Sequence, residues 1–325
     1  MIFLILPFFI LVLVITVYFI LIKKETNHHT YSSDFLRGEI DFFEKTQNSF
    51  DFLWSKGLSK KNIYSLEHTE TKRKDIDISE DIIWIRLSSN GNSNDLKYFT
   101  DSLLPKIKTP KIIVSSDGDN SVPSDLNSKI VNKILDSKYI KRWYTQNYDG
   151  TIVNPKLKHY PIGLDLHTNN LYPVEKVNRI IKIRNSEKKR VNRIFCDVHL
   201  SQNKKFNNER KRVYDILKDF KKIDFLDKRI AQEKIWENYS SYDLTVSTHG
   251  NGLDCHRTWE IILLGGTVVT KTSSLDYLFK DLPVVIVSDW DECLNLDLDE
   301  INDRFKHMKS NDYIYKFFTY KYWLN

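Results

Sequence analysis

The run Ser247 to Glu260, STHGNGLDCHRTWE, sets two histidines, two glycines, an aspartate, an arginine and a glutamate between the apolar segments YDLTVS and IILLGGTVVTK. Connections between buried elements are short and bland unless they carry function. The chemistry these types can do is anion binding. Gly250 and Gly252 let backbone approach a ligand closely and permit positive φ. A helix expected from about residue 257 to 264 would present unpaired N–H groups and the positive end of its dipole to a diphosphate. Arg257 in its first turn would add a planar, charge-assisted grip. Glu260, one turn on, could accept hydrogen bonds from two ribose hydroxyls. The plainer reading also stands: glycines for a tight turn, Asp254 as helix cap and Glu260 in an ion pair.

Other residues suit proton transfer. Asp165 and His167 lie in PIGLDLH, where a carboxylate or imidazole could take the proton of an attacking hydroxyl. Asp165 is preferred because it directly follows the Gly-Leu turn, although an aspartate there also suits a turn. His249 opens the glycine loop and would touch sugar or phosphate. Arg210 and Arg212, in NNERKRVYDIL, begin a helix. They are either further diphosphate ligands or a solvated basic face.

The elements that must position these groups alternate. DIIWIRLSS reads as a strand, NDLKYFTDSLLPKI as a helix closed by proline, KIIVSSDGDN as a strand entering a turn, and SDLNSKIVNKILDS as a helix with Ser124 as N-cap. IKRWYTQN gives another strand. NPKLKHYPIGLDLHT interrupts the pattern, and the charged helix EKVNRIIKIRNSEKKR follows. The second half resumes with VNRIFCDVHL, KIDFLD, YDLTVST, GGTVVTK and LPVVIVSDW as strands, and with NNERKRVYDILKDF and AQEKIWENYSS as helices. Strand–helix alternation implies parallel sheets covered on both faces. The expected architecture is therefore α/β, with two doubly wound Rossmann-like domains, residues 61–175 and 176–325, and a cleft between them. Ligands of such sheets sit beyond the carboxyl ends of the strands, where both the STHGNG and SDGDN loops lie.

The N-terminus differs. MIFLILPFFILVLVITVYFILI is about 22 uncharged residues, long enough to span a bilayer as a helix. It lacks the basic start and small-residue cleavage site of a signal peptide. Residues 1–22 are read as a retained transmembrane anchor and 23–60 as a stalk and helix. The expectation is a single-pass protein of an endomembrane, or of a virus or host membrane. Lys23 and Lys24 follow the span and favour a cytosolic body under the positive-inside rule.

Of the 325 residues 41% are hydrophobic, which sustains a packed core and excludes global disorder. The net charge of +6 fits a polyanionic ligand such as a nucleotide. No basic block interleaves with aromatics, so nucleic acid is not an expected partner. Cys196, Cys255 and Cys293 are too few and scattered for a disulfide framework or structural zinc, and free thiols are expected.

Over roughly residues 243–290, HGNGLDCHRTWEIILLGGTVVT and the closing LPVVIVSDW resemble the nucleotide-binding half of GT-B glycosyltransferases, particularly exostosin-like enzymes. HYPIGLDLHT looks like the PxGxD segment entering their second domain. The resemblance implies a nucleotide-sugar donor held by the second domain. His249, Gly250, Asn251, Gly252 and Asp254 would contact it, with Arg257, Glu260 and Arg210. A glycan or glycoprotein hydroxyl would face the first domain. Such enzymes commonly use no metal, because helix dipole and basic residues offset the leaving-group charge. Two alternatives stand beside this. Asp117-Gly118-Asp119 has the form of the DxD element that holds a divalent metal in GT-A glycosyltransferases, although an ordinary turn is the preferred reading. A membrane-tethered binding module without catalysis is the other.

Overall fold

The computed structural model describes residues 52–58, 76–168, 173–198, 206, 208–226 and 228–324. The anchor (1–22) and nearly all of the stalk lie outside the described residues. Among the described residues no helix is long and apolar enough to cross a membrane.

Two parallel sheets organise the body. The first contains β1 (Ile82–Arg86), β2 (Lys111–Ser116), β3 (Ile140–Thr145) and β4 (Leu157–His159), laid side by side in chain order. α1 (Asn94–Tyr98) and α2 (Ser128–Asp136) fall between strands. Alternation in the strands sends Ile83, Ile85, Ile113 and Trp143 to one face, where they pack with Leu96 and Phe99 and with Ile130, Val131 and Ile134 of α2. Strands in chain order carry their helices to the same face. Among the described residues this sheet is thus singly wound, a correction to the expected pair of doubly wound sheets. α2 is capped by Asn127, whose side chain accepts the Lys129 N–H at 2.9 Å, and not by Ser124. β4 was unexpected. Three residues between prolines carry too little periodicity to read as a strand.

The second sheet has the order β6-β5-β7-β8-β9, all parallel. Its strands are β5 (Val191–Cys196), β6 (Ile223–Phe225), β7 (Tyr242–Val246), β8 (Thr267–Lys271) and β9 (Val284–Val287). Its helices include α3 (Pro173–Asn185), α4 (Glu209–Leu217), α5 (Gln232–Ser241), α6 (His256–Leu263), α7 (Asp276–Phe279) and α8 (Leu298–Phe305). Val213 and Leu217 of α4 and Leu298, Ile301 and Phe305 of α8 pack on the face formed by Ile194, Leu244, Val246 and Val269. α5 covers β5 and β7 and α6 covers β8. This half is doubly wound. After β6 the chain returns past β5 to lay β7 on its other side, so the winding direction reverses between β5 and β7.

The segment 52–58, expected to be stalk, is part of the body. Leu53 donates its N–H to the Phe318 carbonyl at 2.7 Å and accepts that of Leu164 at 3.0 Å. Gly163 has φ +68°, and a Cβ there would lie 2.2 Å from the Leu53 carbonyl oxygen, so only glycine fits beneath this strap.

Candidate functional site

The reversal between β5 and β7 opens a crevice at their carboxyl ends, the position where doubly wound sheets bind ligands. Asp197 and Val198 follow β5, and the loop 247–255 follows β7. A cleft of about 1360 Å³ lies here, larger than a typical small-molecule pocket of roughly 300–1,000 Å³. Arg210, Lys218, Lys228, Arg229 and Arg257 line it against two carboxylates, Asp165 and Asp197, so it is cationic. Tyr214, Phe225, Ile230 and Ile235 supply an apolar wall.

Arg257 sits in the first turn of α6, as expected. Its Nε is 2.8 Å from Asp197 Oδ1, and Asp197 Oδ2 accepts the Tyr239 hydroxyl at 2.7 Å. Burial opposes the charge on this guanidinium, but the Asp197 carboxylate outweighs it and the guanidinium is held charged. Arg210 enters from α4. Burial, and next the like charge of Arg257, lower its pKa. Arg210 Nε also donates to the His249 carbonyl at 3.4 Å, so both guanidinium groups are held at the crevice by protein partners. Arg212 points elsewhere and pairs with Asp289.

The glycine loop is built differently from expectation. Neither Gly250 nor Gly252 has positive φ. Each is required for space: a Cβ on Gly250 would lie 2.9 Å from Cys255 Sγ, and one on Gly252 2.7 Å from Asn147 Nδ2. Asn147 spans the two halves, donating to the Gly118 carbonyl at 3.1 Å and accepting the Asp254 N–H at 2.9 Å. Asp254 is not on the cleft wall, and Cys255 rather than Asp254 is the N-cap of α6. Asp254 is 4% exposed and accepts the Ile162 N–H at 2.7 Å and the Trp259 indole N–H at 2.9 Å. Burial pushes its carboxyl up to about 6. It is a structural tie. His249 is fixed by Glu209, which takes its N–H at 2.8 Å and lies 3.0 Å from its Nδ1, while the Trp290 indole bonds the other Glu209 oxygen at 3.2 Å. Asn251 is exposed at the loop apex. His249, Gly250, Asn251 and Gly252 are absent from the cleft wall, although Gly250 backs onto Arg210.

Asp165 does reach the cleft. Its Oδ1 accepts the Thr168 N–H at 2.9 Å and lies 3.3 Å from His167 Nδ1, and its Oδ2 accepts from Gln232 Nε2 at 3.1 Å. The turn and the candidate site therefore share one side chain. The same Gln232 nitrogen is 3.4 Å from Glu260 Oε1. Glu260 is 5% exposed, stands behind Gln232 and is not on the cleft wall, so the expected ribose contact is not open to it here. Burial, and then the Asp165 charge, push its carboxyl up to about 8. Burial works the other way on Asp165, but His256, His167 and the Thr168 hydrogen bond prevail and hold it at about 2. Two neighbouring carboxyl groups thus differ in protonation at neutral pH, the pattern that separates acid from base roles. His167 is pushed down to about 4 by burial and by His256, and is neutral at pH 7. Lys176, fully buried, donates to the carbonyls of Asp165 and Thr168.

The Asp117-Gly118-Asp119 loop is engaged within the protein. Arg86 Nε donates to Asp117 Oδ2 at 2.9 Å, with Lys56 Nζ at 3.8 Å, and Ser89 Oγ donates to Asp119 at 3.1 Å. Asp117 has φ +64°, and a Cβ on Gly118 would meet the Ser88 carbonyl oxygen at 1.9 Å. These are the marks of a tight, ion-paired turn.

Sequence reading missed Asp197, Gln232, Lys176, Glu209 and Asn147. Asp197 was recoverable, since it directly follows a strand at the carboxyl edge. The others are joined to their partners by contacts distant in sequence: Asn147 to Gly118 and Asp254, Gln232 and Lys176 to Asp165, and Glu209 to His249.

No family model and no curated protein matches this chain. Among solved structures it is similar to a trehalose-6-phosphate synthase, OtsA, at 13% identity over 75% of this chain and 70% of that one, with a TM-score of 0.42. It is also similar to an α,α-trehalose-phosphate synthase (UDP-forming) from Burkholderia vietnamiensis, at 11% identity, 85% and 82% coverage and a TM-score of 0.40. An α1,3-fucosyltransferase is a third, at 14% identity, 80% and 87% coverage and a TM-score of 0.31.

Proposed function

We propose that this chain is a membrane-anchored glycosyltransferase of the GT-B, exostosin-like kind, moving a sugar from a nucleotide-sugar donor to a hydroxyl of a glycan or glycoprotein. Convergence of Arg210 and Arg257 in the cationic crevice between β5 and β7 carries the reading. The donor diphosphate lies against these two guanidinium groups, which offset the charge that builds on the leaving nucleotide without a metal ion. Tyr214, Phe225, Ile230 and Ile235 offer the nucleoside an apolar wall.

The sugar then points toward Asp165. The acceptor comes from the first sheet's side, where His167 feels the charges of Asp117 and Lys56. As the acceptor oxygen attacks the anomeric carbon, neutral His167 takes its proton and ionised Asp165 stabilises the resulting imidazolium. Asp165 remains the second candidate for the base, although a carboxyl held near 2 is poorly matched to accepting a proton at neutral pH. Residues 1–22 tether the body to the membrane.

The test is calorimetric titration of the full chain with UDP and with GDP. Arg257→Ala and Arg210→Ala should each weaken binding by about 1.5–3 kcal/mol, the range for a hydrogen bond to a charged group. If both folded variants bind nucleotide like the parent, the donor site lies elsewhere. Binding without nucleotide-sugar turnover would leave a binding module.

A further inference from the structure

We infer that Asp165, His167 and His256 form a binding site for one divalent transition-metal ion of the zinc class. Each offers one ligand atom, and the three atoms lie within 4.8 Å of one another. Any two ligands on a tetrahedral ion with bonds of about 2 Å stand about 3.3 Å apart. Asp165 Oδ1 and His167 Nδ1 are already at that separation, 3.3 Å.

Two further observations point to a ligand. His167 Nδ1 is closed to solvent and makes no hydrogen bond, although it faces a carboxylate oxygen. A buried ring nitrogen without a hydrogen bond calls for an explanation, and a cation between it and Asp165 supplies one. His256 Nδ1 lies 2.8 Å from the Gly163 carbonyl oxygen. That contact fixes the N–H on Nδ1 and leaves Nε2 with its lone pair, the outer hydrogen bond that metal-binding histidines usually make. The rings of His167 and His256 are tilted by 57° at 5.2 Å, so they are not stacked against each other and can converge on a common point.

The surroundings tolerate an ion. Lys176 Nζ is committed to the carbonyls of Asp165 and Thr168, and Lys56 lies 3.8 Å from Asp117. Gln232 holds the other Asp165 oxygen, so this carboxylate would bind the metal through one oxygen. Two imidazoles and a carboxylate suit zinc and its neighbours in the first transition row better than magnesium or calcium. Three protein ligands leave a fourth position for water.

Binding of the ion stands apart from the transferase reading. One consequence rests on that reading: an ion on His167 removes the group assigned to take the acceptor's proton, so zinc should inhibit transfer.

The experiment is equilibrium dialysis of the full chain in detergent against zinc, with cobalt as a spectroscopic substitute. One zinc per chain and a visible cobalt band are expected. His167→Ala, whose side chain is about one-third exposed, and His256→Ala should each weaken zinc by at least about tenfold. Cys255→Ala, which removes a competing thiol, should leave binding unchanged. Thermal unfolding of each variant reports whether it remains folded. No bound zinc, or equal zinc affinity in the two histidine variants and the parent, overturns the site. Zinc bound through these residues without inhibition upholds the site and overturns the role given to His167. A parent chain that binds zinc through these residues but binds no UDP would count against the donor reading alone.

Discussion

Replacing Glu260 by glutamine would isolate a group whose protonation the fold inverts. Burial and the Asp165 charge push this carboxyl from its ordinary 4.5 up to about 8. Between those values the native state holds one proton more than the unfolded chain. Stability from this group is therefore complete below the unfolded value and lost as pH rises to the folded one, at about 1.4 kcal/mol per pH unit. Two neighbours titrate elsewhere. Asp165, held at about 2, contributes stability that disappears only as pH falls toward that value. His167, lowered from 6.5 to about 4, contributes stability that grows with pH up to its unfolded value and opposes Glu260 below it.

The interval from pH 6.5 to about 8 belongs to Glu260. Over it the parent should lose about 2 kcal/mol from this residue. Glutamine keeps the Oε1 acceptor 3.4 Å from Gln232 and cannot ionise, so the loss should vanish. Urea unfolding at pH 6.5 and 8 measures the gap, which should shift by about 2 kcal/mol in favour of Glu260→Gln. That corresponds to roughly 4–8 °C in Tm for a body of this size. Equal losses in parent and variant would mean that Glu260 is ionised at neutral pH, and the inverted pair with Asp165 would fall.

Gly252→Ala should cost about 1–3 kcal/mol by overpacking against buried Asn147. Gly250→Ala should cost a similar amount, relieved in a Cys255→Ala background that removes the clashing sulfur; thermal unfolding that shows no relief would refute the clash. Asp165→Asn and His167→Ala should each reduce turnover by about 10²–10⁴-fold with donor affinity little changed, and near-parental initial rates would remove that residue from the proton transfer. Asp119→Asn should keep most activity, and EDTA should not abolish it. Loss in EDTA restored by manganese would assign the donor to the Asp117–Asp119 loop.

The second half was legible because its strands are apolar runs punctuated by glycine and by charged helices. Every expected strand from VNRIFC to VVIV is present. The first half read well locally, but winding is a property of strand order, which no single segment encodes. Arg257, Arg210 and Asp165 were placed beside the cleft because charged groups that follow strand ends lie at the carboxyl edge of the sheet. A carboxylate in a glycine loop reads as a donor contact, whereas Asp254 is taken up by hydrogen bonds within the protein. Its partners, Ile162 and Trp259, are respectively 92 residues and 5 residues away, and the distant one is invisible without the fold. Glu260 was placed on the right helix, but its register against Gln232 depends on how α5 meets α6.

The strap at 52–58 has a practical consequence for protein chemistry. A soluble version begun at residue 61, where alternation in the sequence suggests the first domain starts, would omit it. Gly163 would lose the backbone it is shaped to fit, and Asp165 lies two residues beyond. Ser116 Oγ, which donates to the Ser55 carbonyl at 2.6 Å, and Asp117, beside Lys56, would lose partners in the same cut. An expressed fragment therefore has to begin ahead of Phe52. A cut ahead of Phe52 would leave the strap with the body, whereas a cut after Leu58 would sever it from Ser116, Leu164 and Phe318.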